Sequence, residues 1–317
     1  MLRCASSFVI AAYVTVRLIM GTDFKSVPTR LACGTFYEAV LIKAFVTFYE
    51  NTSAGVNMDG RKSGSETVDE IIGGRLRIIQ KKHGYRFSID ALLLAGFVKL
   101  REDDDLIDLG TGSGIVAMIL ARRYRCGRIL GIDIQEELVA MAERSVALNG
   151  LEDRVEIRRG DIRCPESLCA PISFTVAVFN PPYWRFRSGR INPDSRKAVA
   201  RHEIEGTVRD FLAAAGYVLR EGGRAYAIYP AARMVEMISQ MRACRIEPKR
   251  MQMVHSRPGG GGAFILVEGV RGGKEELAVE SPLYIYGETG GYSAEMTAVF
   301  RDLAASPADG GERSPAS

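Results

Sequence analysis

Leu106-Ile107-Asp108-Leu109 is a short apolar run with strand character, Gly110-Thr111-Gly112-Ser113-Gly114 alternates glycine with small polar residues, and Ile115 to Arg123 has the apolar spacing of a helix. A strand that passes through three alternating glycines into a helix brings backbone close to a ligand and aims a helix N-terminus at it. A second strand, Arg128-Ile129-Leu130-Gly131-Ile132, ends at Asp133, about 20 residues past the loop, where a carboxylate can accept hydrogen bonds from both hydroxyls of a ribose. The pattern therefore describes an α/β nucleoside site with Asp108, Gly110, Gly112, Gly114, Asp133 and its neighbour Ile134 as its cofactor contacts. A dinucleotide site wants G-x-G-x-x-G, whereas this loop reads Asp-x-Gly-x-Gly-x-Gly, with an acid before it and no long turn for a pyrophosphate. S-adenosylmethionine is the expected cofactor rather than NAD.

Gln135 to Asn149 carries Leu138, Val139, Met141, Ala142, Val146 and Leu148 at helical spacing, with Gly150 as its stop. The next strand, Arg154 to Arg158, runs to Gly160-Asp161-Ile162. Asp161 there can accept from the amino group of a bound adenine and Ile162 can pack on its face; the plainer alternative is an aspartate that forms a turn. Phe174-Thr175-Val176-Ala177-Val178-Phe179 then reads as a buried strand, cut off by Asn180-Pro181-Pro182-Tyr183. The two prolines have fixed φ and no N–H, so they hold the loop rigid. Asn180 and the Pro181 carbonyl become acceptors on a stiff frame, able to hold an amino nitrogen conjugated to a ring or carbonyl, and Tyr183 offers a face for stacking. Asn180, Pro181, Pro182 and Tyr183 are the catalytic candidates, with Asn180 also lying at the cofactor; a proline turn that merely closes a strand is the structural alternative.

Directly after this tetrad the chain is cationic and aromatic. Trp184, Arg185, Arg187, Arg190, Arg196, Lys197 and Arg201, with Phe186 interleaved, face only Asp194 and Glu203 between residues 184 and 203. Such a loop at the mouth of a pocket suits phosphates and an unstacked base, so RNA is the expected partner; the alternative is a solvated loop whose arginines pair elsewhere.

Taken together and in this order, Asp108 to Gly114, Asp133, Gly160-Asp161 and Asn180 to Tyr183 resemble the class I amino-methyltransferases. The stretch Gly84-Tyr85-Arg86-Phe87-Ser88-Ile89-Asp90-Ala91-Leu92-Leu93-Leu94-Ala95 narrows the likeness to the bacterial family that methylates N6 of the adenine beside the anticodon of a valine tRNA, over residues from about Ile72 to Phe300. The resemblance implies a seven-stranded, mostly parallel sheet whose last strand is antiparallel, with helices on both faces. It also places residues 84–95 over the cofactor, adding Arg86, Ser88 and Asp90 as candidates, although Ser88 and Asp90 equally fit the N-cap and first turn of a helix over Ile89 to Val98. Rival readings are a protein glutamine methyltransferase acting on release factors, which shares the tetrad but carries a helical domain ahead of it, a ribosomal RNA amino-methyltransferase, and an RNA-binding protein with an inactive site.

The remaining sequence supplies scaffold. With 47% apolar and 25% charged residues in 317, the chain can bury one large domain, and a net charge of +4 is too mild by itself to prove a polyanionic partner. Residues 75–300 form the expected methyltransferase domain and 58–74 a linker. Residues 1–57 read as an atypical extension: the apolar Phe8 to Val16 is interrupted by Arg17 and too short to span a membrane, and true initiation at or near Met58 is expected. Residues 301–317 read as a disordered tail. Arg75 to Gln80 and Tyr85 to Phe87 suggest a small hairpin; Val208 to Leu219 and Met234 to Cys244 are expected helices, and Ala225 to Tyr229 a strand. Arg250 to His255 and Phe264 to Val270 suggest an antiparallel pair whose Pro258 to Gly262 connection is a flexible hairpin turn, not a phosphate loop, because no strand-to-helix transition surrounds it. The six cysteines, at 4, 33, 126, 164, 169 and 244, lack metal spacing, and His83, His202 and His255 are scattered, so no metal and no histidine triad are expected. The expected location is the cytoplasm, off the membrane; the sequence sets no oligomeric state.

Overall fold

The computed structural model describes residues 66–82, 86–182, 206–288 and 290–305. The N-terminal extension, most of the tail and the cationic stretch after Pro182 lie outside the described residues.

The first element is a two-stranded antiparallel sheet of β1 (Glu66–Ile71) and β2 (Leu76–Lys81), joined through a turn with left-handed Ile72, Gly73 and Gly74. This corrects two expectations. The second half of the supposed linker is a strand, and β2 pairs with it rather than with the residues that follow, since Arg86 and Phe87 join no ladder. They are bound to the hairpin by side chains instead: Gln80 Oε1 accepts from the Phe87 N–H at 2.9 Å, and Arg86 donates to Asp69 at 2.5 Å.

Next come α1 (Ile89–Phe97), β3 (Leu106–Leu109), α2 (Ile115–Arg123), β4 (Ile129–Asp133), α3 (Glu136–Leu148), β5 (Val155–Arg159) and β6 (Phe174–Phe179). They are followed by α4 (Val208–Val218), β7 (Leu219–Pro230), α5 (Met234–Ala243), β8 (Ile246–His255), β9 (Gly262–Arg271), β10 (Ala278–Tyr284) and α6 (Ala294–Ala304). Eight of the strands form one sheet in the order β10-β8-β9-β7-β6-β3-β4-β5. Strands β3 to β7 are mutually parallel, and β9 lies antiparallel between β7 and β8. The seven expected strands are thus β3 to β9, with β9 the reversed one, and β10 is an additional edge strand parallel to β8. Helix α6 extends into the segment read as a tail, because Met296 and Leu303 are buried and Val299 packs against Gly96 of α1.

Alternation along the strands divides the core. Ile107 and Leu109, Leu130 and Ile132, Ala177 and Phe179, and Ala225, Ala227 and Tyr229 share one apolar cluster with Phe211, Leu212 and Ala215 of α4 and Met237 and Met241 of α5. The intervening residues face α1, α2 and α3, so every central strand is buried on both sides and reads as a continuous apolar run. At the amino ends of β3, β6 and β7 a buried ion pair ties the strands together: Asp104 accepts from Arg224, from the Thr175 hydroxyl at 2.7 Å and from the Arg101 N–H at 2.6 Å. Burial pushes the Asp104 carboxyl up, but these three donors outweigh it and hold the group below the usual carboxylate range.

Strand order reverses between β3 and β6, since β4 and β5 lie on one side of β3 while β6 and β7 lie on the other. In an open parallel sheet such a reversal leaves a crevice at the carboxyl ends, because the two connections leave in opposite directions. The glycine loop leaves one lip of this crevice and Asn180 the other.

Candidate functional site

The register fixes how these lips meet. Leu109 pairs with Ile132 on one side and Phe179 on the other, so Gly110 stands level with both Asp133 and Asn180. Gly110, Gly112 and Gly114 have φ of 70°, 58° and 78°, a left-handed conformation that carries the chain from β3 into α2 and that side chains disfavour. At Gly110 there is also no room: a Cβ would stand 2.8 Å from the Phe211 ring, which itself lies against Phe179.

Two buried acids hold this loop. Asp108 accepts from the Thr111 hydroxyl at 2.6 Å and from the Ala117 N–H in the first turn of α2. Burial raises its carboxyl to about 7, the Thr111 bond opposing this and the nearby Asp133 charge adding to it. Asp133 reaches across the loop: one oxygen accepts from the Gly112 N–H and the other from the Gln135 N–H, each at 2.9 Å. Burial raises the Asp133 carboxyl as well, against the opposing bonds from Gln135, Gly112 and Ile134. Each carboxylate oxygen has capacity for a second donor, so Asp133 can organise the loop and still receive hydroxyls. Ile134, half-buried, follows it before α3 begins.

At the end of β5 the Gly160 N–H donates to the Asp133 carbonyl at 2.9 Å, which brings Asp161 beside the same crevice. Asp161 is held by Arg163, whose Nη2 lies at 2.6 Å and Nε at 2.9 Å, and this partner keeps the carboxyl below its usual range. An adenine amino group at Asp161 would therefore share the carboxylate with Arg163. Ile162 is buried in the apolar cluster under α4, close to Gly206.

On the opposite lip, Asn180 is half-buried, Pro181 is buried and Pro182 half-buried. The Asn180 Oδ1 is buried and has no hydrogen-bond partner among the described residues, and the same is true of the Ser113 Oγ in the glycine loop. A buried polar atom left unpaired costs free energy, so two of them in facing segments of one crevice mark groups arranged for something other than the fold. An unpartnered amide oxygen beside a rigid proline carbonyl can accept hydrogens from an amide or from an amino group on a ring.

Comparison with known proteins agrees with this geometry. Residues 106–186 match the methyltransferase domain family. The tRNA1(Val) (adenine(37)-N6)-methyltransferase of Porphyromonas gingivalis is 31% identical over 154 residues, covering 48% of this chain and 60% of the relative. Its namesake from Aeromonas salmonicida is 32% identical over 47% of this chain and 61% of its own, and that from Bacteroides thetaiotaomicron 28% identical over 65% and 87%. The chain is similar to these relatives over the stretch that each match covers. It spans about three fifths of the length of the first of them. A crystal structure described as a predicted O-methyltransferase from Agrobacterium tumefaciens shares the fold, with a TM-score of 0.56, 22% identity, and coverage of 68% of this chain and 97% of the other.

Arg86 and Ser88, ahead of α1, and Asp90 in its first turn are engaged locally. Arg86 also donates to the Thr67 hydroxyl and the Lys81 carbonyl, both at 3.2 Å, so the β1–β2 sheet holds it. Ser88 is the N-cap residue of α1, yet its hydroxyl donates to the Asp90 carboxylate instead of capping a backbone N–H, and buried Asp90 accepts from the Ala91 N–H at 3.0 Å. The hairpin in turn is fastened to α3, where Asn149 Oδ1 accepts from the Arg77 N–H at 2.9 Å and Ser145 Oγ from the Ile79 N–H at 3.0 Å. Tyr183, Trp184, Arg185, Arg187, Arg190, Arg196, Lys197 and Arg201 lie outside the described residues. Thr111, Ser113 and Phe211 were not singled out by the sequence. The first two carry a weak signal, as the hydroxyls between the glycines, and Phe211 carries none, because only the packing of α4 brings it under Gly110. Among the described residues no group of histidine, cysteine and acidic side chains is arranged to hold a metal, and no helix is long and apolar enough to cross a membrane.

Proposed function

We propose that this chain transfers a methyl group from S-adenosylmethionine to the exocyclic N6 of an adenine in RNA, with adenine 37 of a valine tRNA as its target. The single observation that carries the reading is the buried Oδ1 of Asn180, unpartnered among the described residues, at the switch-point crevice, level with a glycine loop braced by Asp133. The residues present fit the cofactor: left-handed glycines leave backbone accessible, the Asp133 carboxylate can take ribose hydroxyls, Ser113 has a hydroxyl in reserve, and Asp161 can accept from an adenine amino group. When bound there, S-adenosylmethionine would supply a methyl group already activated on a sulfonium.

The chain's own task is then alignment. Asn180 Oδ1 and the Pro181 carbonyl accept the two amino hydrogens of the substrate, which orients the nitrogen lone pair and stabilises the positive charge that grows on that nitrogen. The prolines keep both acceptors fixed as this charge develops, so little reorganisation accompanies the reaction. Tyr183 stacks the base, and Trp184, Arg185, Arg187, Arg190, Arg196, Lys197 and Arg201 contact the RNA around it; an anticodon loop presents its bases already unpaired. The relatives' printed names support the choice of adenine and of valine tRNA. A tRNA substrate makes the cytoplasm the site of action.

The test is methyl transfer from labelled cofactor to RNA from cells lacking the gene, followed by mass spectrometry of the nucleosides. N6-methyladenosine in the valine tRNA is expected. Label in ribosomal RNA alone, in a release-factor glutamine, or in nothing would overturn the proposal.

A further inference from the structure

We infer that the turn between β8 and β9, Arg257 to Gly262, is a second contact for the RNA, gripping a backbone phosphate at a distance from the reacting nucleoside; this rests on the RNA substrate proposed above. Strand direction places the turn. Both β7 and β8 are antiparallel to β9, so β8 ends at the same edge of the sheet as β6 and Asn180. The turn begins two to three strand spacings from β6, roughly 10–15 Å along that edge.

Its glycines are not all explained by the fold. Gly259 has φ of 75°, which favours glycine, and a Cβ at Gly262 would crowd the Met253 methyl at 2.5 Å and Ala231 at 3.2 Å, so packing gives both a local reason. Gly261 has no positive φ and nothing within 4 Å of where a Cβ would stand, and a Cβ at Gly260 would meet only the Arg257 carbonyl, at 3.2 Å. A bare backbone where no neighbour demands one is space through which another molecule can approach. The turn is nonetheless shaped, by a hydrogen bond between His255 Nδ1 and the Gly260 carbonyl at 2.9 Å and by the Gly260 N–H bonded to the Arg257 carbonyl at 3.1 Å. Among the described residues the N–H groups of Gly259 and Gly261 have no acceptor.

Arg257 supplies the charge. It is exposed and lacks a carboxylate partner among the described residues, whereas Arg233, Arg242 and Arg250 are each paired with glutamates. Its guanidinium lies over Tyr286, 5.8 Å from the ring centre, and Tyr286 is stacked on Tyr292 at 5.5 Å with 11° between the planes. A guanidinium braced on stacked rings beside two open N–H donors is suited to an RNA phosphate, since glycine turns elsewhere clamp nucleic-acid backbones in this way. Such a contact positions the strand and reads no base.

Binding of labelled valine tRNA to the full chain by fluorescence anisotropy, over a range of salt concentrations, tests this with Arg257→Glu and Gly261→Asp. Each variant should weaken binding roughly tenfold or more, and Arg257→Glu should lower the slope of log affinity against log salt by about 0.7–0.9, the share of one phosphate. Affinity for S-adenosylhomocysteine and the melting temperature should not change. RNA affinity and salt slope equal to wild type in both variants would overturn the inference, as would a loss explained by unfolding of both. A wild type that binds tRNA through this turn but does not methylate it would sink the proposed function alone; a wild type that binds no RNA would sink both.

Discussion

Replacing Asn180 with alanine separates a catalytic asparagine from a structural one. The side chain carries a buried oxygen with no partner among the described residues. An unsatisfied buried acceptor costs about 1–3 kcal/mol. Asn180→Ala removes that penalty and forfeits packing worth on the order of 1 kcal/mol. The net change in stability should lie between neutral and about 2 kcal/mol in favour of the variant, a melting temperature unchanged or raised by a few degrees. Turnover should move the other way: loss of one oriented group that stabilises transition-state charge costs about 10²–10³ in kcat. The assay is initial-rate methyl transfer to RNA at saturating cofactor, with a thermal melt and a titration with S-adenosylhomocysteine on the same preparation. Activity lost with the fold intact and cofactor affinity within about threefold is the expected signature. A melting temperature lowered by more than roughly 5 °C would mean that Asn180 holds the loop together, and full turnover would mean that it touches no reacting atom.

Asp133→Ala should weaken S-adenosylhomocysteine binding roughly tenfold or more, since the loop loses the acceptor for Gly112 and Gln135 as well as any hydroxyl contact; calorimetric affinity equal to wild type would refute that role. Gly110→Ala combines a left-handed φ of 70° with a Cβ 2.8 Å from the Phe211 ring, so a loss of about 2–5 kcal/mol is expected in denaturant titrations, and a wild-type midpoint would contradict it. Asp108 makes stability depend on pH with a defined sign. Its carboxyl is raised from 3.8 to about 7 in the folded protein, so the native state holds the proton more tightly and stability falls as pH rises between those values, then levels off. Each pH unit between them is worth about 1.4 kcal/mol, so Asp108→Asn should gain on wild type by up to roughly 4 kcal/mol from pH 4 to pH 8; urea titrations at the two pH values showing a constant difference between the proteins would exclude the effect.

Much of the site was legible because it is written in local rules. The strand Phe174–Phe179 and its stop before Pro181-Pro182 follow from an apolar run with β-branched residues, then two prolines without a ladder donor. The passage from β3 through Gly110, Gly112 and Gly114 into α2 follows from backbone angles that only glycine adopts readily. The two edge elements β1 and β10 were not legible. Glu66-Thr67-Val68-Asp69-Glu70-Ile71 is two-thirds polar, and Ala278 to Tyr284 contains Pro282, so each becomes a strand only because a neighbour offers it an open edge.

By itself, then, the sequence determined the α/β class, the order of strands and helices around the crevice, and which residue types gather at the carboxyl ends of β3, β4, β5 and β6. Only the tertiary structure decided what those residues touch: that Asp133 reaches back to the Gly112 N–H, that Arg163 occupies Asp161, that Asp69 claims Arg86, and that the Asn180 Oδ1 has no partner among the described residues. The reason is physical. Backbone preference acts over a few neighbouring residues, whereas the partner of a polar group is set by whichever chain segment packing brings within about 3 Å of it.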